Sequence, residues 1–147
     1  MKSIVLISLS TVCIFTACDV RRHDKVVDDT VRQTELALLD TTAVQLIDSV
    51  FDFGKIAEGE KVAFNFRFKN IGSKPLVVTN ASASCGCTVP EKPEKPVLPG
   101  ETSYIKVVFD SKNKPGHQEK AIFVTANVKP EFPTLKLKGE VEQKVKQ

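Results

Sequence analysis

From Ser49 onward the chain alternates apolar and polar residues with a period of two, the spacing of a strand with one buried and one wet face. Residues 61–69 carry the pattern most clearly. Val62, Phe64, Phe66 and Phe68 fall on one face, and Asn65, Arg67 and Lys69 fall on the other. Val50-Phe51-Asp52-Phe53 predicts a short strand ended by Gly54, and Ala57-Glu58-Gly59-Glu60 predicts a turn. After a second turn at Asn70-Ile71-Gly72-Ser73, residues 74–83 predict a strand with Leu76, Val78 and Asn80 on its inner side.

Residues 90–99 hold Pro90, Pro93, Pro96 and Pro99 and so cannot lie in a sheet interior. They are expected to form a loop crossing from one sheet to another. Leu98-Pro99-Gly100-Glu101 places Pro and Gly at the two central positions of a type II turn, and Lys114-Pro115-Gly116-His117 repeats the device. Strands are expected over 102–110, with Ile105, Val107 and Phe109 inward, and over 118–128, with Ile122, Val124, Ala126 and Val128 on one face. A last strand over 134–142 turns Leu135, Leu137 and Val141 inward and Lys136, Lys138 and Glu140 outward. About seven short strands, no helix and proline-rich connections predict an all-β, immunoglobulin-like β-sandwich over residues 48–142. A small barrel is the alternative. Residues 143–147 read as a frayed tail. The Cys…Trp…Cys hallmark of antibody domains is absent, because the chain has no Trp, so the likeness is architectural.

The first residues follow another rule. Met1-Lys2-Ser3 is a short positive head, and Ile4 to Phe15 is an apolar run softened by Ser8, Ser10 and Thr11. This is the layout of a secretory signal over residues 1–17, and the run is shorter than the roughly 20 residues a membrane span needs. Phe15-Thr16-Ala17-Cys18 resembles the lipobox of bacterial lipoproteins, with Phe15 where Leu is usual. The resemblance implies cleavage before Cys18, a diacylglycerol thioether on its sulfur and acylation of the new N-terminus. Two or more acyl chains anchor stably where one does not. An ordinary signal peptide with an incidental Cys18 is the competing reading. Residues 18–47 are charged at first, lack an apolar period and read as a lipidated tether; Val31 to Leu39 has no obvious cap, and so short a helix is marginal alone. Asp29-Thr30-Val31, Asp40-Thr41-Thr42 and Asp48-Ser49-Val50 share a form that resembles a bacterial O-glycosylation sequence. Chance recurrence in a Thr- and Val-rich stretch accounts for them equally.

Composition adds little to this. The net charge is +3, and the lysines alternate with apolar residues, as on a solvated strand face. Neither a basic stripe nor an aromatic platform argues for nucleic acid. No Ser or Cys nucleophile stands with a His and an orienting acid, and no carboxylate pair stands out, so no enzyme activity or cofactor is expected.

That leaves Cys85 and Cys87, with Gly86 between them. On a regular strand, residues i and i+2 share a face with Cβ atoms about 6–7 Å apart, farther than a disulfide allows. A bond therefore requires the chain to kink at Gly86, and the cell envelope is a compartment where the bond would survive. Three readings compete. The pair packs as small apolar groups or forms a structural bridge; it binds a soft metal such as Cu(I); or it exchanges disulfides with a partner. Two thiolates are half of a tetrahedral site, and His117 is the only histidine in the domain, so no metal site is assigned. The usual redox arrangement, Cys-x-x-Cys at a helix start, is absent.

Phe51-Asp52-Phe53-Gly54-Lys55-Ile56, Glu58-Gly59-Glu60, Phe68-Lys69-Asn70-Ile71-Gly72, Pro75-Leu76-Val77-Val78, Ser84-Cys85-Gly86-Cys87-Thr88, Pro99-Gly100 and Gly139-Glu140-Val141 occur in that order. Together they resemble the bacterial family known as domain of unknown function 1573, over roughly residues 48–142. The resemblance implies an immunoglobulin-like sandwich akin to the major-sperm-protein type, and no activity or catalytic residue. The expectation is a cell-envelope binding or scaffolding module, held to the membrane through lipid on Cys18, facing periplasm or cell surface. Its partner would be an envelope protein, met through an exposed sheet edge. The alternative is a soft-metal-binding or thiol-redox protein centred on Cys85 and Cys87.

Overall fold

The computed structural model describes residues 40–143. The signal peptide, Cys18 and the tether as far as residue 39 lie outside the described residues, as do residues 144–147. Eight strands follow in order: β1 (Val44–Leu46), β2 (Val50–Ala57), β3 (Lys61–Asn70), β4 (Val78–Ala83), β5 (Thr88–Glu91), β6 (Thr102–Asp110), β7 (Gly116–Ala126) and β8 (Leu135–Glu142). They form two four-stranded sheets, ordered β1-β3-β6-β5 and β2-β8-β7-β4. All pairings are antiparallel except β2 with β8. The result is a β-sandwich with two separate sheets, not a closed barrel.

The alternation in β3 lies as its sequence predicts. Phe66 and Phe68 are fully buried, Val62 and Phe64 half-buried, and Asn65, Arg67 and Lys69 exposed. Across the sandwich they meet Ile122, Leu135, Leu137 and Val141, all buried, with Ile105, Val107 and Phe109 of β6 alongside. Phe51 of β2 stacks on Phe64 at a centroid distance of 3.9 Å, and the ring of Phe132 stands edge-on to Phe68 at 5.4 Å. Such contacts bury large apolar rings and add a geometric preference to area burial.

Four expectations are corrected. First, the sandwich begins before residue 48, because β1 pairs Val44 with Asn70 and Leu46 with Phe68. Thr42 also bridges Val128 in parallel. Polarity had placed this stretch in the tether, yet Val44 and Leu46 pack on the core. Second, Asn80 is exposed and Ala81 takes the inner side, because the β4–β7 register shifts between Val78 and Asn80. A one-residue irregularity reverses which side chains face the core. Third, β2 continues through Gly54, which adopts φ +68 at a register shift between Asp52 and Lys55 and donates its N–H to Asp52 at 2.9 Å. Fourth, the proline stretch does not change sheets. It joins β5 to β6, neighbours in one sheet, with Pro90 on the edge strand β5. The type II turn at 98–101 forms as expected: Glu101 N–H donates to Leu98 O at 3.0 Å and Gly100 has φ +83.

Candidate functional site: the bridged crossing and the groove beside it

The change of sheet takes place at residues 84–87, between β4 and β5. Ser84 closes the β4–β7 ladder, donating its N–H to Ala121 O at 2.9 Å while its hydroxyl oxygen accepts the Ala121 N–H at 3.2 Å. Thr88 N–H then returns to Cys85 O at 3.2 Å, and Asp110 N–H donates to Cys87 O at 2.9 Å, opening the β5–β6 ladder. Inside this turn Cys85 and Cys87 are disulfide-bonded, with Cα atoms 5.3 Å apart. A regular strand would hold them near 6.6 Å. The expected kink exists, but Gly86 does not supply it through left-handed backbone. Gly54, Gly59, Gly100 and Gly116 have positive φ and Gly86 does not, and a Cβ on Gly86 would meet nothing within 4 Å.

Cys85 is partly exposed and Gly86 is exposed, while Cys87 packs against the hydrophobic core. Thr88 is 3% exposed. Its Oγ1 lies 3.7 Å from Cys85 Sγ and 3.9 Å from Cys87 Sγ, long contacts of the kind sulfur makes. Opposite Thr88 in the β5–β6 register is Phe109, and the Lys120 ammonium stands 6.0 Å from the centre of that ring. Lys120 shares its side of β7 with buried Gln118 and Ile122, so it points between the sheets. It had the same strand parity in the sequence as Ile122 and Val124, which is the signal that could have found it. Thr88 stood in the motif without a role.

The bonded sulfurs are not thiolates and offer no donor pair for a soft metal in this state. Among the described residues no three His, Cys, Asp or Glu side chains gather into a metal-sized group. His117 faces away from β7 on the outer side, 70% exposed, with Nδ1 3.8 Å from Glu140.

A second feature lies on the outer face of the other sheet. The 92–97 connection walls a groove of about 590 Å³ whose floor is β6, with Tyr104 half-exposed and Lys106 beside it. Tyr104 sits opposite Arg67 across the β3–β6 ladder, and Lys106 opposite Asn65. Lys106 Nζ donates to Glu91, its cross-strand partner at the end of β5, at 3.1 Å. Strand pattern placed Asn65 and Arg67 on a wet face but did not single out Tyr104 or Lys106, because an outward-facing Tyr there is periodically ordinary.

Two four-stranded sheets with a parallel β2–β8 pair define an immunoglobulin-like β-sandwich domain. The family follows from sequence: the model for proteins of unknown function called DUF1573 matches residues 44–141, and the chain belongs to that family. No curated protein matches the chain. Among solved structures, a protein of unknown function from Porphyromonas gingivalis W83 is 18% identical with a TM-score of 0.58, over 70% of this chain and 47% of that one. The chain thus spans about half the length of that relative. A PapD-like domain of human CEP192 is 11% identical with a TM-score of 0.55, over 71% of this chain and 89% of that one. The secreted serine protease VesC of Vibrio cholerae is 11% identical with a TM-score of 0.52, over 79% of this chain and 25% of its own. At these identities the likeness is one of fold.

Proposed function

We propose that the chain is a lipid-anchored binding or scaffolding module of the cell envelope, and that it is not an enzyme. The observation that carries the reading is the groove on the β6 face. It combines a half-exposed aromatic with paired and unpaired charges on a connecting loop held by a rigid sheet. Aromatic anchors ringed by polar groups are the composition of protein-binding patches, and loops on a fixed scaffold are where binding residues collect. Recognition through this groove fits better than strand addition at a sheet edge. Each edge strand is interrupted or short: Pro90 lies in β5, register shifts break β2 and β4, and β1 has three residues. Such features discourage pairing with another chain.

The membrane half of the reading rests on the lipobox-like Phe15-Thr16-Ala17-Cys18. A photo-crosslinking amino acid placed at Tyr104 in cells should trap an envelope protein. The same group at Phe123, half-exposed on the other sheet, should not. Capture from Phe123 alone would refute the groove. Palmitate labelling that persists in Cys18→Ala would refute the anchor.

A further inference from the structure

We propose that the Cys85–Cys87 disulfide is a thiol–disulfide exchange site, opened by an incoming dithiol, in which Thr88 and Lys120 stabilise the departing sulfur. This goes beyond the binding reading and does not depend on what fills the groove. Four observations carry it.

The bridge is not needed to hold the crossing. It closes a loop over a single intervening residue, Gly86, which restricts the unfolded state little. The turn is already fixed at both ends by the Ser84–Ala121 and Cys87–Asp110 hydrogen bonds. The two sulfurs are also unequal. Both cysteines are partly exposed, but only Cys87 packs against the core cluster. The attack therefore falls on Cys85 Sγ, the sulfur not packed on the core, and Cys87 Sγ is the one that leaves.

The leaving sulfur has a donor waiting. The buried Thr88 hydroxyl touches both sulfurs. A thiolate is a far stronger acceptor than a disulfide sulfur, so this bond tightens as charge develops. Lys120 reaches the same corner of the sandwich, over the Phe109 ring that faces Thr88. Among the described residues no carboxylate pairs with it. A positive charge in the corner where the sulfur departs favours its thiolate form.

The step balances with a dithiol as co-reactant. Its first thiolate attacks Cys85 Sγ, and the S–S bonding pair leaves on Cys87 Sγ, giving a mixed disulfide. The second thiol loses its proton and attacks the first sulfur, releasing Cys85. The dithiol is oxidised by two electrons to a disulfide, and its two protons end on Cys85 and Cys87.

The test uses the full chain, with dithiothreitol as the probe and alkylation followed by intact-mass analysis as the readout. Reduction should be complete and reversible while the urea midpoint of the protein stays within the folded range. Thr88→Val and Lys120→Met should each slow reduction by about tenfold and raise the pH at which the reduced Cys87 alkylates, whereas Lys120→Arg should restore both. Equal rates in wild type, Thr88→Val and Lys120→Met would overturn the proposal. Reduction seen only in unfolding concentrations of urea would overturn it too.

Discussion

Thr42 donates its hydroxyl to Asn70 Oδ1 at 3.0 Å, although 28 positions separate them. The Asn70 amide is fully buried and fully used. Its Nδ2 donates to Lys74 O at 2.8 Å and Val97 O at 2.9 Å, and Oδ1 also accepts the Gly72 N–H at 3.1 Å. One side chain thus ties the chain entering β1, the turn after β3 and the proline loop together. Gly72 makes this possible, because a Cβ there would fall on the Thr42 hydroxyl.

Asn70→Ala should cost about 1–3 kcal/mol, since it leaves the buried Thr42 hydroxyl and the Gly72 N–H without their acceptor and takes a donor from Lys74 O and Val97 O. A chain begun at residue 48 should lose more than one begun at residue 40, because it forfeits Thr42 and β1 together. Urea midpoints of the three proteins check this. Equal midpoints for the two truncations would return residues 40–47 to the tether.

Strands with strict alternation, β3, β6 and β8, were legible in the sequence because a buried face repeats every second residue. Asn70 was not. A buried Asn looks like a turn residue until its two distant partners, Thr42 and Val97, are known. The same limit hid β1, whose three residues are too short to show a period, and the Asn80 reversal, which depends on a bulge rather than on composition. At the crossing, the need for a kink between Cys85 and Cys87 could be computed from strand spacing. That the kink also carries the change of sheet depends on the long-range partners Ala121 and Asp110.

Phe66 and Arg67 are neighbours with opposite fates. Phe66 is 1% exposed and stands edge-to-face with Phe64 at 4.9 Å. Phe66→Ala should cost about 3–5 kcal/mol through lost burial and a residual cavity. Arg67→Ala leaves no core cavity and removes a two-pronged, exposed ion pair with Asp48, and should shift the urea midpoint less. Comparable shifts would mean that the inward and outward faces of β3 are misassigned.

Glycine substitutions should divide by surroundings. A Cβ on Gly139 of β8 would enter the ring of Phe53, which also lies against Phe109 at 5.6 Å. Gly139→Ala should therefore displace Phe53 and cost about 1–3 kcal/mol, the range for overpacking. Gly86→Ala meets open space and ordinary backbone, and should stay within about 0.5 kcal/mol of wild type. Thermal melts of both variants decide it: a Gly86→Ala loss as large as that of Gly139→Ala would show that the cysteine turn needs glycine for a reason other than space.

The Asp48–Arg67 pair sets one limb of the pH dependence. Arg67 Nε donates to Asp48 Oδ2 at 2.7 Å and Nη2 to Oδ1 at 3.1 Å, and the Arg67 backbone N–H reaches Oδ2 at 3.1 Å. The guanidinium hydrogen bonds, with help from that backbone N–H and the nearby positive charge, hold the Asp48 carboxyl below its ordinary value of 3.8. A carboxylate depressed in the folded state stabilises the fold at every pH above its unfolded value. That contribution fades as pH falls through the depressed folded value. Asp110 is lowered too, chiefly by the Lys112 backbone N–H, and adds to the same limb. Asp48→Asn removes the charge and keeps one oxygen acceptor, while its amide NH2 replaces the other and gives up the hydrogen bond made there. Urea midpoints of wild type and Asp48→Asn should differ at neutral pH and converge as pH falls through the depressed folded value. A gap that stays constant across that range would show that the hydrogen bonds, and not the ionised carboxylate, hold the β1–β2 connection against β3.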